Sequence, residues 1–435
     1  MRRSPTSESL VGMPGILPVA HRSSRRSRLW FLAVALLLAV MLPGPLVTAR
    51  PAHAATPLAV GSLPLHTSGR YVVNATGARV KLVGVNWYGA DLNQFVVEGL
   101  EIRPLPAIAA TIRALGFNVV RLPFSNQMVE QNPVVAAKYL TANPGLQGKT
   151  ALQIYDATID ALAAAGLAVI IDDHISTAEW CCVTSDGNGL WWTAKYPESS
   201  WIKDWQTMAG RYAPGGAHPQ PAVVGAELRN EIRAVNGVGK PVWDGSGSKF
   251  DWAGAATRGG NAVLAVNPSL LIVVDGITFS LDLRGAATHP ITLKLPNRVV
   301  YAAHDYVFAH HPGDYSSYAK IQAHWTAWWG YLVGGAHPAP VWVNEFGAIA
   351  TTSSTIVSTT PSTTGYLFAA LMDYLKRGSF DWAVWPINGT YGYSTRQNHT
   401  AGSPDPHGVL ASDWSSLRTD EVGQPLLYNT LRQLF

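Results

Sequence analysis

Short apolar runs rich in β-branched residues recur along the chain, separated by stretches whose apolar residues repeat at helical spacing. Val80–Asn86 reads as a strand, Leu105–Leu115 as a helix opened by Pro104, and Phe117–Leu122 as the next strand, ended by Pro123. Leu152–Ala165 predicts a helix closed by Gly166, and Leu167–Ile171 a strand running into Asp172–Asp173–His174. A helix around Ser200–Tyr212 leads to an apolar strand from Ala222 that ends on Asn230–Glu231. Trp252–Val266 predicts a helix, and Leu270–Asp275 and Arg298–His304 the fifth and sixth strands. Tyr315–Leu332 reads as helical, Val341–Asn344 as the seventh strand, Tyr366–Arg377 as a helix, Trp382–Trp385 as the eighth strand, and Leu426–Phe435 as a closing helix. Ahead of them, Gly69–Val80 predicts a hairpin around an Asn/Gly turn that caps the bottom of the fold. Strands alternating with helices imply an α/β fold: a single (β/α)₈ TIM barrel with a short N-terminal β-hairpin, or a doubly wound open sheet. The polar residues gather just past the strands' C-terminal ends, where a barrel keeps its site, and this favours the barrel.

Composition narrows the picture. With 435 residues, 47% hydrophobic and 14% charged, the chain can bury a large core and is far from the disordered class. The net charge of +4 overstates its basicity. Arg2, Arg3, Arg22, Arg25, Arg26 and Arg28 precede the apolar run Leu29–Leu42, and Ala52–His53–Ala54 supplies small residues at a cleavage-site spacing. Residues 1–54 are therefore expected to be a secretory signal peptide with a long basic n-region, and residues 55–435 one barrel domain. A twin-arginine route and an uncleaved membrane anchor are the alternatives, although the run is short for a span. The remainder is near neutral, with no basic patch for nucleic acid. The expected protein is extracellular, monomeric and free of stable membrane association after processing. Cys181 and Cys182 are the only cysteines and are adjacent, so packing must hold the core. They form either a disulfide between neighbours or two buried thiols, in the loop after the third strand.

Candidate chemistry follows the strands: Asn86–Trp87–Tyr88 after the first, Arg121 at the second, His174 after the third, Asn230–Glu231 after the fourth, His304 and Tyr306 at the sixth, Glu345 after the seventh and Trp385 at the eighth. One strand-end glutamate is as easily a salt bridge or a helix cap; two at equivalent positions suggest a paired-carboxylate site. The motifs Gly84–Val85–Asn86–Trp87, Gly116–Phe117–Asn118–Val119–Val120–Arg121–Leu122–Pro123, Asp173–His174, Asn230–Glu231, His304–Asp305–Tyr306, Asn344–Glu345–Phe346–Gly347 and Trp385, in that order, resemble the cellulase family of glycoside hydrolases, family 5 of a retaining clan. The resemblance implies Glu345 as nucleophile and Glu231 as acid/base. Arg121 would hold the Glu345 pKa low, and the Tyr306 hydroxyl would donate to it. His304 would sit by Glu231, Asn230 would bind the sugar 2-hydroxyl, His174 would support the sugar or the carboxylates, and Trp385 would stack on a pyranose. It implies no cofactor and no metal, and an oligosaccharide or polysaccharide as partner. Ile232 stands where the family has proline, which leaves the chemistry intact and alters the loop beyond.

Several features stay open. Gly215–Gly216–Ala217–His218–Pro219 and Gly334–Gly335–Ala336–His337–Pro338 echo each other before the fourth and seventh strands; they read as helix caps on the non-catalytic face, with structural histidines. Trp180–Cys181–Cys182 and Trp191–Trp192 read as the far end of the cleft or as a satellite cluster pinning a loop. The leading function is a secreted endo-β-glucanase. Rivals are a metal-dependent hydrolase ligated by Asp172, Asp173, His174, His304 and Glu231, a sugar-binding barrel without turnover, and the same chemistry on β-mannan or a glycolipid glycan.

Overall fold

The computed structural model describes residues 62–392 and 400–435. The basic and apolar N-terminal stretch and Ala52–His53–Ala54 lie outside the described residues. Two short strands, β1 (His66–Ser68) and β2 (Tyr71–Val73), pair antiparallel about Gly69–Arg70. The expected hairpin is thus displaced upstream, and the Asn74–Gly77 turn carries only a single bridge, Val73 to Arg79. Its tightness comes from Asn74 Oδ1, which accepts from the Thr76 and Ala78 amides and so satisfies the turn locally.

Eight parallel strands then close a barrel: β3 (Val83–Asn86), β4 (Val119–Ser125), β5 (Ala168–Ile175), β6 (Val223–Glu227), β7 (Leu271–Asp275), β8 (Val299–His304), β9 (Val341–Glu345) and β10 (Asp381–Val384). The ring closes where β10 pairs with both β3 and β9. The outer helices include α1 (Leu105–Ala114), α2 (Asn126–Gln131), α3 (Ala151–Ala164), α4 (Glu198–Arg211), α5 (Trp252–Val266), α6 (Tyr318–Trp328), α7 (Ser353–Ile356), α8 (Thr364–Gly378) and α9 (Leu426–Leu431). Helix α2 is absent from the sequence pattern because it is too short to show a period; Ser125 starts it by accepting from the Met128 amide. Between β7 and β8 the described residues form only a 3₁₀ turn, Arg284–Ala287.

Strand alternation divides the apolar residues into two layers. Val83, Val85, Val120, Leu122, Val169, Ile171, Val274 and Val343 pack outward in the large core shared with the helices. Val119, Ala168, Ile170, Val224, Leu271, Val273, Val300, Ala302, Trp342 and Ala383 fill the barrel, and Leu65 and Val72 join them as a plug. Gly84 also points inward, where a Cβ would lie 2.8 Å from Ala383 Cβ and 3.0 Å from Val119 Cγ1. Above these layers the inward positions turn polar, with Asn86, Arg121, Asp172, Asp275, His304 and Asn344 all buried. A register shift between Ala303 and His304 sets His304 opposite Glu345.

Candidate active site

Arg121 organises the polar layer. Its Nε and Nη2 donate to Glu227 at 2.7 and 2.5 Å, Nη1 donates to Glu345 at 2.5 Å and to Asn86 at 3.0 Å, and Nη2 also reaches Asn230 Oδ1 at 2.8 Å. Asp172 lies 3.1 Å away. Strands β3, β5, β6 and β9 therefore each deliver an inward side chain to one guanidinium whose planar fork matches paired carboxylates. Tyr306 donates its hydroxyl to the other oxygen of Glu345 at 3.2 Å. Asn344 bonds Glu227 at 2.8 Å, and the Asn86 amide is held by the carbonyls of Asn344 and Val384.

Glu231 comes from a different kind of position. The strand reading that ended on Asn230–Glu231 is corrected: β6 stops at Glu227, and Glu231 sits beyond it with φ 44°. This left-handed backbone is costly for a side chain other than glycine, and it is held at both ends. The Glu231 amide donates to Asp275 Oδ2 (3.2 Å) and Ser280 Oγ (3.1 Å), while Arg233 donates to its carbonyl at 2.8 Å. Ile232 is buried in a parallel bridge with Ile277, so an apolar packing contact anchors the loop. His304 Nδ1 then lies 3.1 Å from Glu231 Oε1 and 3.5 Å from Glu345 Oε2. The two carboxylates and this imidazole each offer an atom within 4.8 Å of the others.

Burial dominates the electrostatics. It pushes the Glu231 carboxyl up, and Arg233, His174 and Arg121 only partly oppose it. It also raises Glu345 despite the pull of His304 and Arg121. The expectation that Arg121 holds the Glu345 pKa below its ordinary value is corrected: desolvation outweighs the ion pair. At Glu227 the balance reverses, and Arg121's charge and hydrogen bonds overcome burial to hold the carboxyl low. Burial and neighbouring Glu227 drive Asp275 well above its usual range, and burial does the same to Asp172. Glu227 is thus the neighbour whose carboxyl Arg121 holds low. Burial lowers His304 to about 4, so its ring is neutral above that pH. The Tyr306 hydroxyl is pushed well up by burial and Glu345, and stays a donor.

His174 bonds Asp172 at 2.7 Å and faces the Asn230 amide at 3.4 Å. Half-buried Trp385 lies nearly parallel to His174 (centroids 5.5 Å) and to Tyr88 (5.1 Å). Asn230 Nδ2 lies 3.5 Å from both sulfurs of Cys181 and Cys182, which are bonded to each other. The two tryptophan-bearing segments after β5 part company. Trp180 edges against Tyr88 and Tyr391 by the site, whereas Trp191 packs on Trp252 and Trp192 on Phe250 as a satellite cluster. Of the rival metal-ligand set, Asp173 is turned aside to pair with Arg229 at 3.2 Å, whereas Glu231 and His304 do converge. The echoed histidines lie off the site: His218 pairs with Asp160 at 3.0 Å, and His337 lines a groove with Thr67 and Gly69.

All eight site residues of the sequence reading, Arg121, His174, Asn230, Glu231, His304, Tyr306, Glu345 and Trp385, line or border this one region. That reading omitted Glu227, Asp275 and Ser280. The first two end apolar strands, as Glu345 does, and that was the available signal; Ser280 carries none.

The family model of cellulase, glycosyl hydrolase family 5, matches residues 73–390. An endoglucanase of Paenibacillus polymyxa is 31% identical over 374 residues, covering 81% of this chain and 83% of that protein. The major extracellular endoglucanase of Xanthomonas campestris pv. campestris is 30% identical over 394 residues, 85% of this chain and 72% of its own. A hyperthermophilic endocellulase of the archaeon Pyrococcus horikoshii superimposes with a TM-score of 0.69 at 25% identity, over 86% of this chain and 98% of that one. The same endocellulase has been solved in complex with cellotetraose.

Proposed function

The chain belongs to the cellulase family, glycosyl hydrolase family 5, and is a glycosidase acting on β-glucan; from that premise we propose that it cuts such chains internally by double displacement, with Glu345 as nucleophile and Glu231 as acid/base. The supporting observation is the spacing: carboxylate oxygens of both glutamates fall within 4.8 Å of each other and of His304. Retaining glycosidases hold their carboxyl groups about 5–5.5 Å apart, whereas inversion needs roughly 6.5–9.5 Å to admit a water.

Contacts separate the roles. Glu345 accepts from Arg121 and Tyr306, donors that favour its anion. Glu231 has burial and one neutral imidazole, which favour a proton held ready. Glu345 attacks the anomeric carbon while Glu231 protonates the leaving oxygen; Glu231 then takes a proton from water as it opens the glycosyl ester. Asn230, pinned through Oδ1 to Arg121, presents its amide to the sugar 2-hydroxyl. The cellotetraose complex of the Pyrococcus enzyme supports a substrate several sugars long. Residues 1–54 serve as the export signal and residues 55–435 as the secreted catalytic domain, a reading supported by the extracellular Xanthomonas relative.

Proton NMR of the first product from a β-linked oligoglucoside is the test. The β-anomer is expected, and an initial α-anomer would falsify the scheme. Glu345→Ala should lose nearly all turnover and, with azide and an activated aryl glycoside, yield the glycosyl azide of inverted configuration. Glu231→Ala should lose about 100- to 10,000-fold, most on poor leaving groups. Comparing viscosity loss with reducing ends on β-glucan and β-mannan separates internal from terminal cutting and glucan from mannan.

A further inference from the structure

Away from the cleft centre, the loop after β8 and helix α6 bring together His310, Asp314 and His324, each with an imidazole or carboxylate atom within 4.8 Å of the others. His310 is 8% exposed. Its Nε2 is bonded to Asp305 Oδ1 at 3.0 Å, and its Nδ1 is buried with no hydrogen-bond partner. His324 Nε2 is likewise buried and without a partner. The two rings stand almost perpendicular, 85°, with centroids 5.2 Å apart. One unsatisfied buried nitrogen is costly; two of them, on rings that meet beside a carboxylate, point to something that both would bind.

We infer that His310, Asp314 and His324 form a binding site for a divalent transition metal of the zinc class. Two imidazoles and one carboxylate are a borderline donor set, which suits zinc, with a fourth position left for water. Calcium and magnesium would demand more oxygen ligands. The Asp305 bond supplies what a metal-binding histidine needs: Nε2–H is committed to a carboxylate, which fixes the tautomer and leaves the Nδ1 lone pair to the metal. Asp314 is similarly anchored, since its Oδ2 accepts from the His311 amide at 2.8 Å. Bonds of about 2.0 Å put tetrahedral ligand atoms roughly 3.3 Å apart. Closure therefore asks for a shift on the order of 1 Å, which the half-buried Asp314 and His324 can make. The bound ion would tie the loop carrying Tyr306 and Phe308 to α6, as a structural clamp that takes no part in the glycosidic chemistry.

The test uses tag-free protein stripped with chelator and exchanged into buffer containing about 10 µM free zinc. Metal content after gel filtration should be about one equivalent, and the thermal midpoint should rise by roughly 2–5 °C. His324→Ala and Asp314→Ala should lose both effects while keeping the stripped wild-type kcat/KM. Cobalt should give visible absorption of tetrahedral type in the wild type and none in the variants. No zinc uptake by the wild type would overturn the site, as would an equivalent retained by His324→Ala. The readouts are metal content and melting, so the inference stands or falls apart from the assignment of the catalytic glutamates.

Discussion

Arg121 carries its positive charge at zero exposure, which is tolerable only because every N–H of its fork has a fixed acceptor. The carboxylates around it are therefore unequal: Arg121 holds Glu227 below its ordinary range, while burial raises Asp172 and Asp275 well above theirs and lifts Glu345 and Glu231. Tyr306→Phe removes one donor to Glu345 and nothing from the core. A hydrogen bond to a charged group contributes about 1.5–3 kcal/mol, so kcat/KM should fall roughly 10- to 100-fold with the melting temperature unchanged; unaltered kinetics would show that Arg121 alone holds the carboxylate. His304 predicts a pH effect. Its folded pKa of about 4 lies below the unfolded value of about 6.5, so the unfolded chain binds the extra proton between them. The contribution of neutral His304 is whole above about pH 6.5 and is lost as pH falls towards 4, amounting to about 3 kcal/mol. His304→Asn should flatten that part of the stability profile, read from urea midpoints at pH 4.5 and 7. These inequalities were not legible in the sequence, where Glu227, Glu231 and Glu345 are the same letter.

The loop after β5 and the plug under the barrel illustrate opposite kinds of element. Cys181 and Cys182 are half-buried and touch Asn230, so their placement in that loop follows from the sequence while their contact with the site does not. Replacing both with serine should raise KM several-fold and leave the melting temperature within about 2 °C, since a bridge between adjacent residues closes almost no loop in the unfolded chain; a large loss of stability instead would make the pair a structural staple. Leu65 is fully buried beneath the barrel. Leu65→Ala should cost about 2–5 kcal/mol without altering kcat, measured by denaturant midpoint and initial rate. Helix and strand periods predicted most elements to within a few residues, α5 among them at Trp252–Val266. The failures have local causes. The polar end of β6 reads as one continuous strand because periodicity does not register where pairing stops and a residue turns to φ 44°. The hairpin is misplaced because two Gly-bearing turns lie within ten residues, and the first is tied to the barrel by the Thr67 amide, which donates to the Asn297 carbonyl at 2.9 Å, and by Arg298, which donates to the Leu65 carbonyl.

Across the whole molecule, the barrel separates a packed interior from a polar mouth, and the export reading concerns a stretch outside the described residues. N-terminal sequencing of material recovered from culture medium should begin near Ala55; an intact Leu29–Leu42 run in a membrane fraction would favour an anchored form. The chain's own letters determined the eightfold alternation, the ring of polar residues at the strand ends and the ordered motifs of the family, because spacing and side-chain type are properties of neighbours along the chain. Tertiary structure alone decided that Arg121 grips Glu227, 106 positions away, as well as Glu345, 224 positions away. It also decided that His304 stands between the two glutamates, and that a pair of histidines converges beside Asp314. Pairing, protonation and the satisfaction of buried polar atoms depend on distance and on exclusion of water, and both come into being only when the barrel closes.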